Sequence, residues 1–542
     1  MCHGVLSLED IVHDLLERTQ PPADDPFAEL AALDGIISQV EGMLAKLVKR
    51  RAPLKSRINQ MNSPINNILP PEILSHIFTF CLPDFSTFDT RKRDMRNNLM
   101  PLLLGAVCQH WRDIAWTTPA LWNTFSLYIA GQDLETLTGL TEQWLGRSGN
   151  LPLYIRLSCE PKATTHGNNI MARADQVILL IAALNTHASR WRELDIRIPT
   201  YFFDTFHTNP LGRSTLEYLY IDPPDGQSNS AETLHLVSTP SLKRLHLSSV
   251  YLASVQVQWD SITDIYASAF YLDECLEMFH RAPRLVSAAF PFIIGGDETH
   301  TLLESRLTLP SLKYLHLGHE RGVSISALLD KIALPALEEL SYDGSEKTLE
   351  VPPFVSLLTR SACPLRILTL TSSPVDEENI INLLSKIPSL KRLSIITTIF
   401  ETYAPIMSPR VLACISRLPD ESHGVEQPSI LPKLEVLEYV GFQQLSWPTL
   451  LSALERSRSL CTVKIRFHRK EDLEADAKLA HRIIDLFDKG KMLEVREGES
   501  ADALERFFST VSAGAYHSRF LEHQTRMRSI PPSHQGHFHS SL

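Results

Sequence analysis

The 542-residue sequence predicts an α/β solenoid, in which a curved parallel sheet gains one strand per turn and helices form the returns. Three observations support this class. A short apolar motif recurs along the middle of the chain, amphipathic segments separate its copies, and the residues before the repeats have the apolar periodicity of helices. We therefore expect helices first and the solenoid after them.

The repeated motif is clearest at 240–247, where the chain reads Pro-Ser-Leu-Lys-Arg-Leu-His-Leu. Copies stand at 240–247, 310–317, 335–342, 388–395 and 432–439. Most steps between copies, weaker ones included, are 20–28 residues, and one of 44 residues indicates an inserted loop near 403–428. This period and the L-x-x-L-x-L core are typical of a leucine-rich repeat, so the predicted fold is leucine-rich-repeat-like.

Alternation within each copy predicts which strand side chains point inward and which point outward. Leucines face the interior and the side chains between them face out. Stacked repeats of this kind expose a long sheet surface that serves binding more often than catalysis. The candidate target-binding residues on it are Arg244, His246, Tyr314, His316 and Arg392. Charged and aromatic side chains suit a protein ligand, and simple solvation of an exposed sheet face is the alternative.

The first 62 residues predict a helical arm. From Leu30 to Leu47 the apolar residues follow a 3-4-3-4 heptad spacing, and Pro53 is expected to kink or interrupt the helix. A coiled-coil arm for self-association and an amphipathic helix packed on the neighbouring domain both fit this pattern.

Two short apolar helices are predicted within 63–122. The first follows Leu-Pro-Pro-Glu-Ile-Leu at 69–74, where proline and glutamate suit a helix N-terminus. The second contains Val-Cys-Gln-His-Trp-Arg at 107–112 and is apolar over more than half its circumference, which predicts that it is covered on two sides. So small a unit buries its own apolar surface poorly and needs the rest of the chain or a partner.

The two motifs, in this order, resemble an F-box, and the Thr-Thr-Pro-Ala-Leu-Trp that follows at 117–122 is similar to a large group of fungal F-box proteins. The resemblance implies that this unit docks a Skp-type adaptor and, through it, a cullin scaffold. The residues it implies for adaptor binding are Leu69, Pro70, Glu72, Ile73, Leu74, Ile77, Phe78, Val107, Cys108 and Trp111. The charged stretch 84–98 departs from compact members of the family, and we expect a flexible loop there.

The predicted organisation has five parts. They are a helical arm at 1–62, the F-box at 63–122, the solenoid at 123–470, a C-terminal helical cap at 471–526 and a disordered tail at 527–542.

Composition and motifs argue against several other functions. The net charge of −11 disfavours a nucleic-acid binder. Catalytic motifs are absent, so we expect no enzyme and no cofactor, and the eight scattered cysteines have no metal-ligand spacing. Neither a signal peptide nor a membrane-spanning run is apparent, and reduced cysteines indicate a cytoplasmic and/or nuclear protein.

The function predicted from these features is that of a substrate-recognition subunit of a cullin–RING (SCF-type) ubiquitin ligase. Its F-box would dock the adaptor, and its solenoid would bind an unidentified protein target. The alternative is a non-ligase scaffold in which the F-box-like hairpin only caps the repeats.

Overall fold

The computed structural model describes residues 26–62, 64–82, 99–129, 133–159, 170–207, 214–226, 232–236, 238–295, 305–348, 350–373, 377–397, 408–416, 429–441, 446–467, 477–497, 501–510, 516 and 518–521. Its residues divide into two compact units. The first comprises the described parts of Met1–Phe125 together with Glu142–Leu151, and the second those of Ser126–Thr141 and Pro152–Leu542.

Helices dominate the first unit. They are α1 (Pro26–Asn62), α2 (Pro64–Ile68), α3 (Pro71–Thr79), α4 (Met100–Val107) and α5 (Gln109–Thr117), followed by a 3₁₀ turn at Pro119–Leu121. Its core contains Leu74, Phe78, Leu104, Ile114, Ala115, Leu121 and Trp122. Trp144 also packs against this core, so residues 142–151 supply part of the cover that the short helices require.

Helix α1 runs through Pro53 without a break, so the proline does not interrupt it. A proline within a helix lacks one amide donor, but the helix continues when the remaining turns keep their hydrogen bonds. Leu30, Leu44 and Leu47 on its heptad positions are all more than half exposed in this chain.

The second unit is built on a 15-stranded sheet. The strands of the chain are β1 (Thr124–Ile129), β2 (Leu153–Cys159), β3 (Trp191–Arg197), β4 (Tyr218–Ile221), β5 (Leu234–Leu236), β6 (Arg244–Ser248), β7 (Val255–Val257), β8 (Asp264–Tyr271), β9 (Ser287–Ile294), β10 (Leu307–Thr308), β11 (Tyr314–His319), β12 (Ile332–Ala333), β13 (Glu339–Thr348), β14 (Ile367–Ser373), β15 (Arg392–Thr397), β16 (Val436–Gly441), β17 (Thr462–Phe467), β18 (Met492–Glu497) and β19 (Ala501–Asp502). The main sheet follows chain order and omits only β5, β7, β10 and β12, which form two small sheets.

Helices connect many of these strands. They are α6 (Leu134–Arg147), α7 (Ala174–Asn185), α8 (Leu272–Arg281), α9 (Ser326–Lys331), α10 (Val351–Ser361), α11 (Glu377–Ser385), α12 (Pro409–Ser416), α13 (Trp447–Arg456), α14 (Ala477–Asp488) and α15 (Ala503–Thr510). The result is a mixed α/β unit with a large parallel sheet, compatible with the predicted α/β solenoid.

Strand register follows the repeated motif closely. The central apolar residue of each copy pairs in parallel with its counterpart on the next strand, as Leu219 does with Leu245 and Leu315 with Leu340. These residues are all buried, because side chains alternate between the two faces of a strand and these point toward the helices. The residue that follows each of them lies on the opposite, outer face of the sheet.

The 44-residue step contains a helix, not only a loop. Helix α12, at Pro409–Ser416, lies between β15 and β16 in the chain. Its Val411, Leu412 and Ile415 are buried, so it packs as a helical return. Apart from Ser408, the rest of the predicted loop lies outside the described residues.

The expected helical cap at 471–526 includes two strands as well as helices. β18 pairs in parallel with β17, and β19 then pairs antiparallel with β18. The cause is the alternation of Leu493 and Val495 with charged neighbours, which places the two apolar side chains on the inner face. The parallel sheet therefore extends one strand beyond the last repeat recognised in the sequence.

Two further expectations fall on residues that the structure does not describe. They are the flexible loop at 84–98 and the disordered tail at 527–542. Among the described residues, no helix is long and apolar enough to span a membrane.

Candidate interaction surfaces

Helix α3 begins as the sequence predicts. Pro71 occupies its first turn, Glu72 places a carboxylate near the positive end of the helix dipole, and His76 lies in the last turn. The amides of Ile73 and Leu74 both bond to the carbonyl of Pro70. These contacts fix where α3 starts and therefore which of its side chains turn outward.

The second predicted helix is two helices, α4 and α5, separated at Cys108. The backbone of Cys108 is extended, and its Sγ accepts a hydrogen bond from the amide of Trp111 at 3.4 Å. The cysteine thus caps α5 in the way that a serine or aspartate often does. The apolar pattern does not predict this break. The cysteine does not predict it either, because cysteine is an uncommon helix cap.

Trp111 links the break to the start of the unit. Its indole Nε1 donates to Oδ1 of Asn66 at 2.8 Å, and its ring lies 4.9 Å from that of Phe78. Trp111 is half-buried, and these two contacts lie within the helical unit.

The ten residues predicted for adaptor binding fall into three groups by exposure. Pro70, Glu72, Ile73, Ile77 and Val107 are exposed, Leu69, Cys108 and Trp111 are half-buried, and Leu74 and Phe78 are buried. Leu74 and Phe78 are each only 1% exposed and belong to the core of the unit. They therefore hold the helices together and do not face outward, which corrects their assignment as contact residues.

An apolar edge remains exposed on both α3 and α4. On α3, Ile73 and Ile77 are one helical turn apart and 47% and 42% exposed. On α4, Leu103 and Val107 have the same spacing and are both more than half exposed. The sequence prediction missed Leu103 as a contact candidate, although the broad apolar circumference of the second helix signalled it.

The outer face of the sheet carries a row of side chains in register. Among its members, Arg156 pairs with Asp195 at 2.6 Å and Lys464 with Glu438 at 3.6 Å. The predicted His246 and His316 belong to this row, whereas Arg244, Tyr314 and Arg392 begin their strands two residues earlier on the same face. The five predicted residues thus share one surface but extend over seven strands from β6 to β15.

Three members of the row, together with Arg197 two residues beyond the row on β3, form a continuous stack. The guanidinium of Arg197 lies 4.3 Å from the ring centroid of Tyr220, and the ring of Tyr220 stacks on His246 at 4.0 Å. His246 in turn stacks on Tyr266 at 4.2 Å. We call Arg197, Tyr220, His246 and Tyr266 the stacked column.

Charge is distributed unevenly along the stacked column. Asp195 binds Arg197 through Nε at 2.8 Å, which anchors one end. Burial, together with the positive charge of Arg197, lowers the pKa of His246 to about 3, so the imidazole is neutral at pH 7. Burial raises the pKa of Tyr266. The column therefore has a cation at one end and neutral rings at the other.

Tyr220, Tyr266 and Arg197 were not among the predicted target-binding residues. Tyr220 lies in a weak copy of the repeat, and Tyr266 follows Ile265, the central residue of another weak copy. Their alignment with His246 could have been found by assuming equal register between weak and strong copies, as the structure has it.

Within the part of the chain that is described, no group of three or more His, Cys, Asp and Glu side chains could hold a metal ion.

Comparison with known proteins adds no assignment. No protein-family model matches this chain, and no curated protein matches it.

Proposed function

We propose that this chain is a substrate-recognition subunit of a cullin–RING (SCF-type) ubiquitin ligase. In this proposal residues 63–122 act as an F-box that docks a Skp-type adaptor, and the repeats act as a leucine-rich-repeat-like solenoid that binds a protein target. The observation that carries it is the exposed apolar edge of α3 and α4, in a unit whose motif order resembles an F-box.

Physical chemistry supports an interaction role for this edge. Four large apolar side chains on these helices remain exposed to water, namely Ile73, Ile77, Leu103 and Val107. The same helices bury Leu74, Phe78 and Leu104 in the core of the unit. Exposed apolar surface on a folded protein can mark an interface, since burying it would be favourable by about 25 cal/mol per Å². The buried neighbours keep the helices in place while the edge remains available.

A receptor of this kind carries out no bond chemistry of its own. Its contribution would be to hold a target lysine near a ubiquitin-charged enzyme, which raises the effective concentration of the two reactants. The outer face of the sheet, with its charged and aromatic rows, is the proposed surface for the target.

The N-terminal helix is proposed to join two copies of the chain. Its heptad leucines are exposed in the single chain, as expected for one helix of a coiled coil. Two joined receptors would present two target surfaces at once.

Adaptor binding by the purified full chain tests the ligase proposal. The chain should bind a Skp-type adaptor with a dissociation constant in the micromolar range or below, measured by calorimetry. Ile73→Asp and Ile77→Asp should each weaken binding at least tenfold, because a carboxylate would be buried in the interface. Both side chains are exposed, so the circular dichroism spectrum should not change.

A matched control is Leu179→Asp, which places the same charge at an exposed leucine of α7. It should bind the adaptor as the unaltered chain does. A folded chain that does not bind the adaptor at micromolar concentration would overturn the proposal and favour the scaffold alternative. Equal weakening by Leu179→Asp would show that the effect is not specific to the proposed edge.

A further inference from the structure

The stacked column stops at Tyr266, and the next position in its row is small. Tyr266 pairs in register with Ala289 on β9, and Ala289 pairs with His316 on β11. Each preceding strand contributes a flat side chain to the column, whereas β9 contributes a methyl group. Tyr266 is 37% exposed, and one face of its ring is covered by His246, so we assign its exposure to the ring face that points away from His246.

The width of this gap follows from strand geometry. Adjacent strands are about 4.8 Å apart, so the backbones of β8 and β11 are separated by about 10 Å across β9. The rings inside the column are 4.0 and 4.2 Å apart. One flat group therefore fits between Tyr266 and His316 with contact distances like those within the column, and two flat groups do not.

The column itself shows which kind of flat group its aromatic faces accept. At its other end the guanidinium of Arg197 covers Tyr220, and on the adjacent row the guanidinium of Arg244 lies 4.8 Å from the ring centroid of Tyr218. A guanidinium is planar and cationic, and it stacks on the negative face of a tyrosine ring. The exposed face of Tyr266 is chemically equivalent to those covered faces.

Charge near the gap favours a cation over a neutral ring. Asp264 lies on the outer face of β8 two residues before Tyr266, where its Oδ2 accepts a hydrogen bond from Thr263 Oγ1 at 2.6 Å, and in the described part of the chain it forms no salt bridge. Asp343 is near enough to His316 for its charge to oppose the lowering of the pKa of that histidine by burial. Arg244, which pairs in register with Asp264 from β6, is directed to Glu193 at 3.4 Å on the side away from the gap.

We propose that the gap over Ala289, between Tyr266 and His316, binds one arginine side chain of a partner protein, stacked on Tyr266 and paired with Asp264. This inference deepens the proposed function. It rests on that function only in identifying the partner protein as the ligase target. Lysine would occupy the gap poorly, because its ammonium group is compact and more strongly hydrated.

The test uses the full chain and a blocked tripeptide, acetyl-Gly-Arg-Gly-amide, as the probe, with binding measured by saturation-transfer NMR titration. We expect a dissociation constant on the order of a millimolar, since one side chain provides few contacts. The citrulline counterpart keeps the shape without the charge and should bind roughly fivefold more weakly. The lysine counterpart should be weakened similarly.

Two substitutions locate the binding position. Ala289→Leu fills the gap and Tyr266→Leu removes the ring, and each should abolish the difference between the arginine and citrulline peptides. Tyr266→Phe should keep it. Thr369→Leu is the matched control for Ala289→Leu, because Thr369 occupies the same row on β14, and it should not alter binding. The melting temperature of every variant shows whether the sheet remains folded.

Three outcomes would overturn the inference. They are equal binding of the arginine and citrulline peptides, unchanged arginine binding by folded Ala289→Leu, and the same loss in Thr369→Leu. Adaptor binding is measured separately on the same full chain, so its absence would refute the ligase proposal while leaving arginine binding in place. Loss of arginine binding with intact adaptor binding would refute only this inference.

Discussion

The imidazole of His246 stacks on the ring of Tyr266, with the ring centroids 4.2 Å apart and the planes 15° from parallel. The two residues come from β6 and β8, which are separated by β7 in the chain but adjacent in the sheet. Their contact therefore exists only when the repeats are stacked in the correct register. This makes the protonation of His246 a probe of the folded sheet.

Acidification should destabilise the sheet through His246. Its pKa is about 3 in the folded chain and 6.5 in a model peptide, so below pH 6.5 the unfolded chain binds a proton that the folded chain does not. Stability from this residue is present above pH 6.5 and is lost as pH falls toward 3. The free energy of unfolding should be lower by about 2 kcal/mol at pH 5 than at pH 8, measured by urea denaturation.

His246→Phe should remove this dependence, because a phenyl ring keeps the stack and does not titrate. Comparing its urea midpoints with those of the unaltered chain at both pH values cancels the contribution of the carboxylates. His481→Gln, at an exposed histidine of α14, should leave the dependence unchanged. A His246→Phe protein with the same pH dependence as the unaltered chain would contradict the prediction.

Sequence reasoning succeeded where local pattern and fold coincide. The alternating leucines of the repeats predicted strands, and their central residues pair from strand to strand as expected. It failed where a single contact decides the structure. Cys108 divides a helix through one Sγ hydrogen bond, and Leu74 lies in the core although its neighbour Ile73 is exposed. An apolar stripe does not distinguish core from partner surface, since both require the same residue types.

Gly318 on β11 is predicted to be intolerant of any side chain. A Cβ atom at this position would lie 2.2 Å from the carbonyl oxygen of Pro291, which belongs to the backbone of β9 and cannot rotate away. The register of β9 and β11 shifts at this point, between Leu317 and His319. Gly318→Ala should therefore destabilise the sheet by about 2–3 kcal/mol, measured by urea denaturation followed by circular dichroism.

Gly139→Ala provides the control for that experiment. Gly139 lies in helix α6, and a Cβ atom there would have no neighbour within 4 Å. Alanine has the higher helix propensity, so this variant should be unchanged or more stable by up to about 1 kcal/mol. If both variants had the same stability as the unaltered chain, the close approach of β9 and β11 at Gly318 would be refuted.

The exposed heptad positions of α1 predict self-association. Leu44 and Leu47 are each 58% exposed, and together with Leu30, Leu33 and Ile37 they lie along one stripe of the helix. A second copy could cover this stripe, so light scattering at micromolar concentration should give the mass of a dimer, twice 61.1 kDa. The double variant Leu44→Glu with Leu47→Glu should be a monomer, because four carboxylates would be brought together in the seam.

The control for this variant is Ala45→Glu with Ala52→Glu, which adds the same charge at exposed positions on another side of the helix and should remain dimeric. A monomeric mass for the unaltered chain at up to 100 micromolar, roughly the concentration at which a weak dimer would still form, would assign the stripe to a contact other than self-association.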